Sequence, residues 1–524
     1  MKNIKNSFKI LIENNIILNY AFNYALCIMN YALKRGVIVL SKALMIQGTM
    51  SNAGKSFLAA ALCRIFVQDG YSCAPFKSQN MALNSYVTND GLEMGRAQAV
   101  QAEAAGIEPS VLMNPILLKP TTDTGSQIIL GGKPFGNMTA MEYFRRKTEF
   151  VPYIENAYKK LSSMHDIIVI EGAGSPVELN LKSDDIVNMG MAKIAQSPVI
   201  LVGDIDRGGV FAQLYGTVSL LEPEERKLVK GIIVNRFRGD KSLFDDGVKI
   251  LENLCGVPVL GVIPYLQCDI EDEDSLSEKI KNHNLNGDVK INIVVVKLPK
   301  MSNFTDFDVF LQYRGVGVRY AEKPEDIDGA DMIIIPGTKS TISDMKYLRE
   351  SGLEAAVKSR KDTPVFGICG GYQILGRKIS DPYNTECGGS IDGMNLLDCE
   401  TVFSPEKKTV RTSGKFNDIS GFFGFLSGKS FSGYEIHMGR TENRGDILTD
   451  CGGSYKNNAA GCYIHGIFDE IAEDTVKNLF RKKGLEYMGG TADRKKYKEN
   501  QFDILAENVR KNMDIDKIYE IIKG

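Results

Sequence analysis

Short apolar runs alternate with stretches of helical periodicity along most of the chain. Residues 43–47 form the first run and lead into a Gly-rich loop. From Ser56 onward, Leu58, Leu62, Ile65 and Phe66 fall on one helical face, with Gly70 as a stop signal. Residues 166–170, 198–202 and 231–234 are short, β-branched and lack polar alternation, as in strands covered on both faces. This alternation predicts an α/β fold with a parallel sheet and helices on both sides. Residues 269–288 break the pattern, being first acidic and then polar and turn-rich, which reads as a linker. A second set of buried strands follows at 291–296, 332–335 and 365–368. Residues 387–466, rich in Gly, Ser and aromatics, predict further strands beside that second sheet. The expected organisation is an N-terminal extension (1–42), a first α/β domain (43–268), a linker (269–289), a second α/β domain (290–490) and a charged helical tail (491–524).

Composition narrows the function classes. At 524 residues the chain exceeds the size at which a single core usually splits into domains. Lys plus Arg number 63 against 65 Asp plus Glu, and this balance argues against a dedicated nucleic-acid partner. The ten Cys are irregularly spaced without a C-x-x-C pair, which disfavours structural zinc and fits a reducing, cytoplasmic setting. Residues 16–33 are fairly apolar, but Asn19, Asn23 and Asn30 interrupt them and no small-residue cleavage pattern follows, so no membrane partner is expected. The chain has only four His: His165, His283, His437 and His465. Any chemistry that needs an imidazole base must draw on these.

The loop after the first strand runs from Gly48 to Gly54, Lys55 and Ser56 and opens a helix. In that context backbone N–H groups and the helix N-terminus face phosphates, Lys55 neutralises them, and the Ser56 hydroxyl is a Mg²⁺ ligand. The loop carries one residue more than the common G-x₄-G-K-[ST] spacing. Glu171 ends the 166–170 strand, where a carboxylate reaches a metal held by the loop. Asn235 ends the 231–234 strand, where its amide can read a nucleotide base edge. Asp204 and Asp206 end another strand and suit either metal or substrate, or a local ion pair with Arg207. The polar stretches 77–91 and 119–127 offer substrate-binding candidates, among them Lys77, Asn80 and Asp90, although polar loops are commonly just solvated.

The second half carries strand, G-x-C-x-G, helix around Cys369. This is the arrangement of a nucleophile elbow with a thiol in place of a hydroxyl. A helix N-terminus favours the thiolate, and the backbone N–H of Gly370 can hold an oxyanion, with Gly337 a second donor at the end of a neighbouring strand. A Cys nucleophile wants a His base. His437 and His465 both lie in this half. His465 follows a strand-like run and is bounded by glycines, so it is the favoured base, with His437 structural or on the substrate side.

Taken together, these motifs closely resemble the cobyric acid synthase family, from about Leu44 to Gly490. The resemblance rests on the loop from Gln47 to Ser56, the stretch from Phe76 to Tyr86, Gly95-Arg-Ala-Gln-Ala, Asn114 to Pro120, Glu171 to Ser175, Asp204 to Val210, Ser302 to Asp308, and the thiol-half motifs. It implies a dethiobiotin-synthetase-like ATPase domain followed by a class I glutamine amidotransferase domain. It further implies ATP and Mg²⁺ as cofactors, L-glutamine as nitrogen donor, a small corrinoid partner, and Cys369 and His465 as nucleophile and base. The implied reaction is amidation of the b, d, e and g carboxylates of adenosylcobyrinic acid a,c-diamide. Most class I glutaminases place a carboxylate two residues after the His. Here Ile467 occupies that position, with Asp469 further on, so the residue that orients His465 is left open. Two other readings are a sibling ligase that amidates the a and c carboxylates and a partition-type ATPase acting as a binding module. The second lacks the early signature Lys in the phosphate loop and leaves the thiol half unexplained.

Overall fold

A computed structural model describes residues 41–121, 125–266, 268–270, 289–490 and 494–524. Most of the expected extension, the interior of the expected linker with His283, and residues 122–124 of the polar loop lie outside the described residues.

The first half is built on a six-stranded parallel sheet. Its order is Val259–Pro264, Val229–Phe237, Val199–Asp204, Lys42–Gly48, Ile167–Glu171, Cys73–Phe76. The strand Lys42–Gly48 shows why the run reads as continuously apolar: Ala43 and Met45 enter the core on one face, Leu44 and Ile46 the core on the other. The helix Lys55–Gln68 covers the second face with Leu58, Leu62, Ile65 and Phe66. Both edge strands were absent from the sequence reading. Cys73–Phe76 contains Pro75, which its edge position tolerates. A small sheet of Gln79–Met81, Ile116–Pro120, Gly125–Leu130 and Lys133–Thr139 sits beside the main one.

The second half has a seven-stranded sheet ordered Val316–Ala321, Ile291–Val296, Met332–Ile335, Val365–Ile368, Ala459–Cys462, Gly452–Lys456, Asp446–Thr449. The first five strands are parallel, and the last two pairings are antiparallel, so only Gly452–Lys456 runs against the others. The aromatic-rich stretch therefore contributes only partly to this sheet. The rest forms a separate four-stranded sheet dominated by the long hairpin Cys399–Lys415 and Ser430–Asn443.

The helices Arg494–Asn512 and Ile515–Lys523 return to the first half. Phe502, Leu505, Ala506, Val509 and Ile518 join the core around Leu58, Leu62 and Phe66, and Arg64 pairs with Glu499 and Asp503. Among the described residues no helix is long and apolar enough to cross a membrane.

Candidate active sites

In the first half the sheet's two strands beside Lys42–Gly48 end on carboxylates, Glu171 on one side and Asp204 on the other. Ligands of open α/β sheets sit at such strand ends, where the connections diverge. Gly54 adopts a left-handed φ of 92° as the loop enters its helix. A Cβ there would lie 2.0 Å from Asn235 Nδ2. That amide donates to Ala53 O at 2.9 Å, so Asn235 meets the phosphate loop itself. Lys55 Nζ donates to Met50 O at 2.9 Å.

Glu171 is 1% exposed and collects three donors. Ser56 Oγ lies 2.8 Å away, Lys77 Nζ 2.8 Å and Gln101 Nε2 2.6 Å. Burial works against its charge, but the Lys77 ammonium and the Gln101 and Ser56 hydrogen bonds outweigh it and hold the carboxyl below its ordinary range. Gln101 escaped the sequence reading because an amide inside a helix carries no local signal. A hydroxyl and a carboxylate converging beside the phosphate loop are hard oxygen donors and fit Mg²⁺. Among the described residues no group of three or more His, Cys, Asp or Glu makes a protein-only cage.

The remaining candidates of this half lie in other surroundings. Lys77 is tied to Glu171, and buried Asn80 donates to Gln98 Oε1 at 3.1 Å. Asp90 is exposed and accepts from Thr88 in a local turn. Asp204 pairs with Arg236 and Arg207, and exposed Asp206 pairs with Arg238 at 2.6 Å. The segment 84–87 is a docking surface. Ser85 N donates to Asn303 Oδ1 (3.0 Å), Phe304 N to Asn84 Oδ1 (3.3 Å), and Tyr434 Oη to Ser85 O (3.1 Å). Arg411 donates to Val87 O at 3.0 Å and lies over the Tyr86 ring.

In the second half, Cys369 sits between Val365–Ile368 and Gly370–Leu375 with φ 52° and ψ −106°, a conformation that L residues rarely adopt. Tight packing around the elbow selects glycines. A Cβ on Gly371 would lie 2.0 Å from Ile335 O, and one on Gly370 2.6 Å from Thr338 Cγ2. The same close approach brings Gly370 against Gly337–Thr338. The register pairs Ile368 with Cys462 on the adjacent strand, so the chain emerging after Cys462 carries His465 to the same sheet edge.

His465 is 1% exposed. Its Nδ1 lies 2.7 Å from Asp306 Oδ2, and Gly466 N donates to Asp306 Oδ1 at 3.2 Å. Asp306 belongs to the 3₁₀ helix Phe304–Gln312 and supplies the orienting carboxylate that the position of Ile467 does not. Burial alone would lower the His465 pKa. Asp306, followed by interaction with Cys369, overrides it and raises the ring to about 10. Tyr434 stacks on the ring with centroids 5.4 Å apart. The sequence held a trace of Asp306, a carboxylate in an otherwise apolar run, but Asp308 two residues on carries the same trace.

His437 is engaged differently. Nε2 lies 2.9 Å from Glu435 Oε2, Nδ1 lies 2.7 Å from Gly439 O, and the ring stacks on Tyr463 at 3.6 Å. It lines the Cys369 cleft with both nitrogens occupied. His165 is remote and bonds Ser72 Oγ at 2.8 Å.

Comparison with known proteins matches this two-part geometry. Residues 44–277 match a CobQ/CobB/MinD/ParA nucleotide binding domain, and residues 292–472 a CobB/CobQ-like glutamine amidotransferase domain. A cobyric acid synthase of Ruminiclostridium cellulolyticum is 54% identical over 92% of this chain and 98% of its own length. Those of Lachnoclostridium phytofermentans and Alkaliphilus metalliredigens are 52% and 51% identical, each over 92% of this chain and 99% and 100% of their own lengths. Half of all positions identical over nine-tenths of the chain is far more than a common fold requires. The chain belongs to the cobyric acid synthase family of glutamine-hydrolysing ligases.

Proposed function

We propose that the chain amidates the b, d, e and g side-chain carboxylates of adenosylcobyrinic acid a,c-diamide, using ATP and glutamine, to give adenosylcobyric acid. The observation that carries the reading is the docking of the half that holds Cys369, His465 and Asp306 onto the half that holds the phosphate loop, within one chain. The working division is 43–268 for ligation and 290–490 for glutamine hydrolysis. The tail 491–524 serves the ligation half, against whose core its helices pack.

Cys369 attacks the side-chain amide carbon of glutamine, and Gly337 and Gly370 stabilise the oxyanion. His465 delivers a proton to the departing nitrogen, leaving ammonia and a glutamyl thioester. His465 then takes a proton from water, which attacks the thioester and releases glutamate and the thiol. Asp306 fixes the ring orientation and supports its charged form. In the other half, Lys55 and the loop backbone hold the phosphates, with Asn235 bracing the loop beside the nucleotide. Ser56 and Glu171 would hold Mg²⁺, which neutralises phosphate charge when bound. The substrate carboxylate takes the terminal phosphoryl group, giving ADP and an acyl phosphate. Ammonia displaces phosphate and leaves the amide. Lys77, Asn80, Asp90 and Asp206 remain the candidates for contacting the corrinoid, with Lys77 the nearest of them to the phosphate loop. A cytoplasmic location goes with this chemistry.

The test is incubation of corrinoid acids with ATP and glutamine and identification of the amidated positions by mass spectrometry. Four new amides at b, d, e and g are expected. Amidation of a and c instead would overturn the assignment.

A further inference from the structure

The cleft at Cys369 is walled by both halves. It measures about 670 Å³, part of it open to solvent, and its lining includes Lys339, Lys407 and Glu386 from the thiol half and Lys119, Gln127 and Asn137 from the nucleotide half.

Its charges do not balance. Lys119 Nζ lies 2.7 Å from Glu93 Oε1, and Lys407 pairs with Glu93 Oε2, so one carboxylate serves two ammonium groups. All three side chains are at most 5% exposed. Lys339 Nζ donates to the neutral Gln127 Oε1 at 3.1 Å, and Lys407 reaches the same oxygen at 3.4 Å. The remaining carboxyl of the lining, Glu386, is held by Thr341 N at 2.6 Å, and burial raises it to about 8, so a cation bound beside it would draw out its charge. Burial, with repulsion from Lys407 and Lys119, lowers Lys339 to about 7. Burial also lowers Lys407, to about 8. A buried surplus of cations next to a thiol is complementary to an anion, and with one acid in the same cleft it is complementary to a small zwitterion.

We propose that Lys339 and Lys407 form a carboxylate subsite for the α-carboxylate of the glutamine whose amide meets Cys369. Glu386 faces its α-ammonium, and Gln127 and Lys119, reaching in from the nucleotide half, position the two lysines. The inference rests on Cys369 being the glutaminase nucleophile. It makes glutamine recognition depend on docking of the two halves, because part of the pocket wall belongs to the partner domain.

The test uses the full chain and two thiol reagents. The first, 6-diazo-5-oxo-L-norleucine, carries both α groups of glutamine; the second, iodoacetamide, carries neither. In Lys339→Met and Lys407→Met, labelling of Cys369 by the first should slow about 10-fold or more, the worth of a charge-assisted hydrogen bond. KM for glutamine should rise to match, iodoacetamide labelling should slow much less than labelling by the first reagent, and Lys339→Arg should recover most of the loss. An unshifted urea-unfolding midpoint reports that each variant is folded. Equal slowing of both reagents would overturn the proposal, since the lysines would then act on the thiol. So would a raised KM for the corrinoid acid with an unchanged KM for glutamine, which would make the acceptor's carboxylate the ligand. If the unsubstituted chain and Cys369→Ser are labelled alike, the nucleophile reading itself fails and this inference with it.

Discussion

The phosphate-loop site draws Gly48, Gly54, Lys55 and Ser56 from one contiguous stretch, with Glu171 supplied by the adjacent strand. The thiol site draws Cys369, His465 and Asp306 from three segments, and Asp306 lies 159 residues before the ring it orients. The phosphates proposed for the first site are charges that backbone N–H groups can meet, so a local loop suffices. The second must hold a strained nucleophile, a base and an orienting acid at fixed distances, and only a sheet edge can gather those from afar. The thiol site also leans on its neighbour. The segment 84–85 bonds Asn303 and Phe304 at the head of the helix that carries Asp306.

Separating the two sites by substitution is the sharpest way to break this comparison. Cys369→Ser should lower glutamine-dependent amidation by at least about 10³-fold while ammonia-dependent amidation persists. Glutamate release and product formation measured side by side check it, and loss of both rates would argue against two separable sites. Asp306→Asn should lower glutaminase turnover by on the order of 10²–10⁴-fold, by analogy with other orienting carboxylates. It should also move the alkaline limb of the pH–rate profile to lower pH, because the ring loses the charge that raises it to about 10. Stability carries the same sign. The folded pKa of His465 lies above its ordinary 6.5, so the stabilisation from the pair is complete below 6.5 and is lost as pH rises through about 10. Urea unfolding at pH 6 and pH 10 should show a larger drop for the unsubstituted chain than for Asp306→Asn.

Leu505→Ala probes the nucleotide half from its far end. This side chain is fully buried in the core of the loop-bearing helix, and its truncation should cost about 2–5 kcal/mol. Denaturation followed with and without ATP would read the loss. The smallest effect is expected at His437. His437→Asn should lower glutaminase turnover by less than about 10-fold, since its contacts with Glu435 and Gly439 are structural and a general base contributes 10²–10⁴. A larger loss would move His437 into the chemistry.

Periodicity alone located seven strands of the two main sheets to within about three residues, because strands covered on both faces leave an uninterrupted apolar record. It missed the edge strands Cys73–Phe76, which carries Pro75, and Val259–Pro264, which Gly261 interrupts. The elbow at Cys369 was legible because strained turns demand glycine at fixed offsets, while the scarcity of imidazoles left His437 and His465 as the two candidates of that half. Asp306, Gln101 and the lysines around Glu93 were not legible. Their partners lie far along the chain, and a lone Asp, Gln or Lys looks the same whether solvated or buried. The stretch 77–91 shows the limit most clearly. Its carboxamides and hydroxyls read as a substrate loop, yet the Asn84 side chain and the Ser85 backbone N–H bond the opposite half.

By itself the sequence determined the α/β class and put forward the phosphate loop with Lys55 and Ser56, the thiol elbow at Cys369, and His465 as the proposed base. Each of these depends on residues close in the chain or on a scarce residue type. Only the tertiary structure decided that Asp306 orients His465, that the tail returns to the nucleotide half, and that Lys119, Lys339 and Lys407 meet at one cleft. Those outcomes depend on which strands lie side by side and which polar groups are left to pair once water is excluded. No local pattern encodes either.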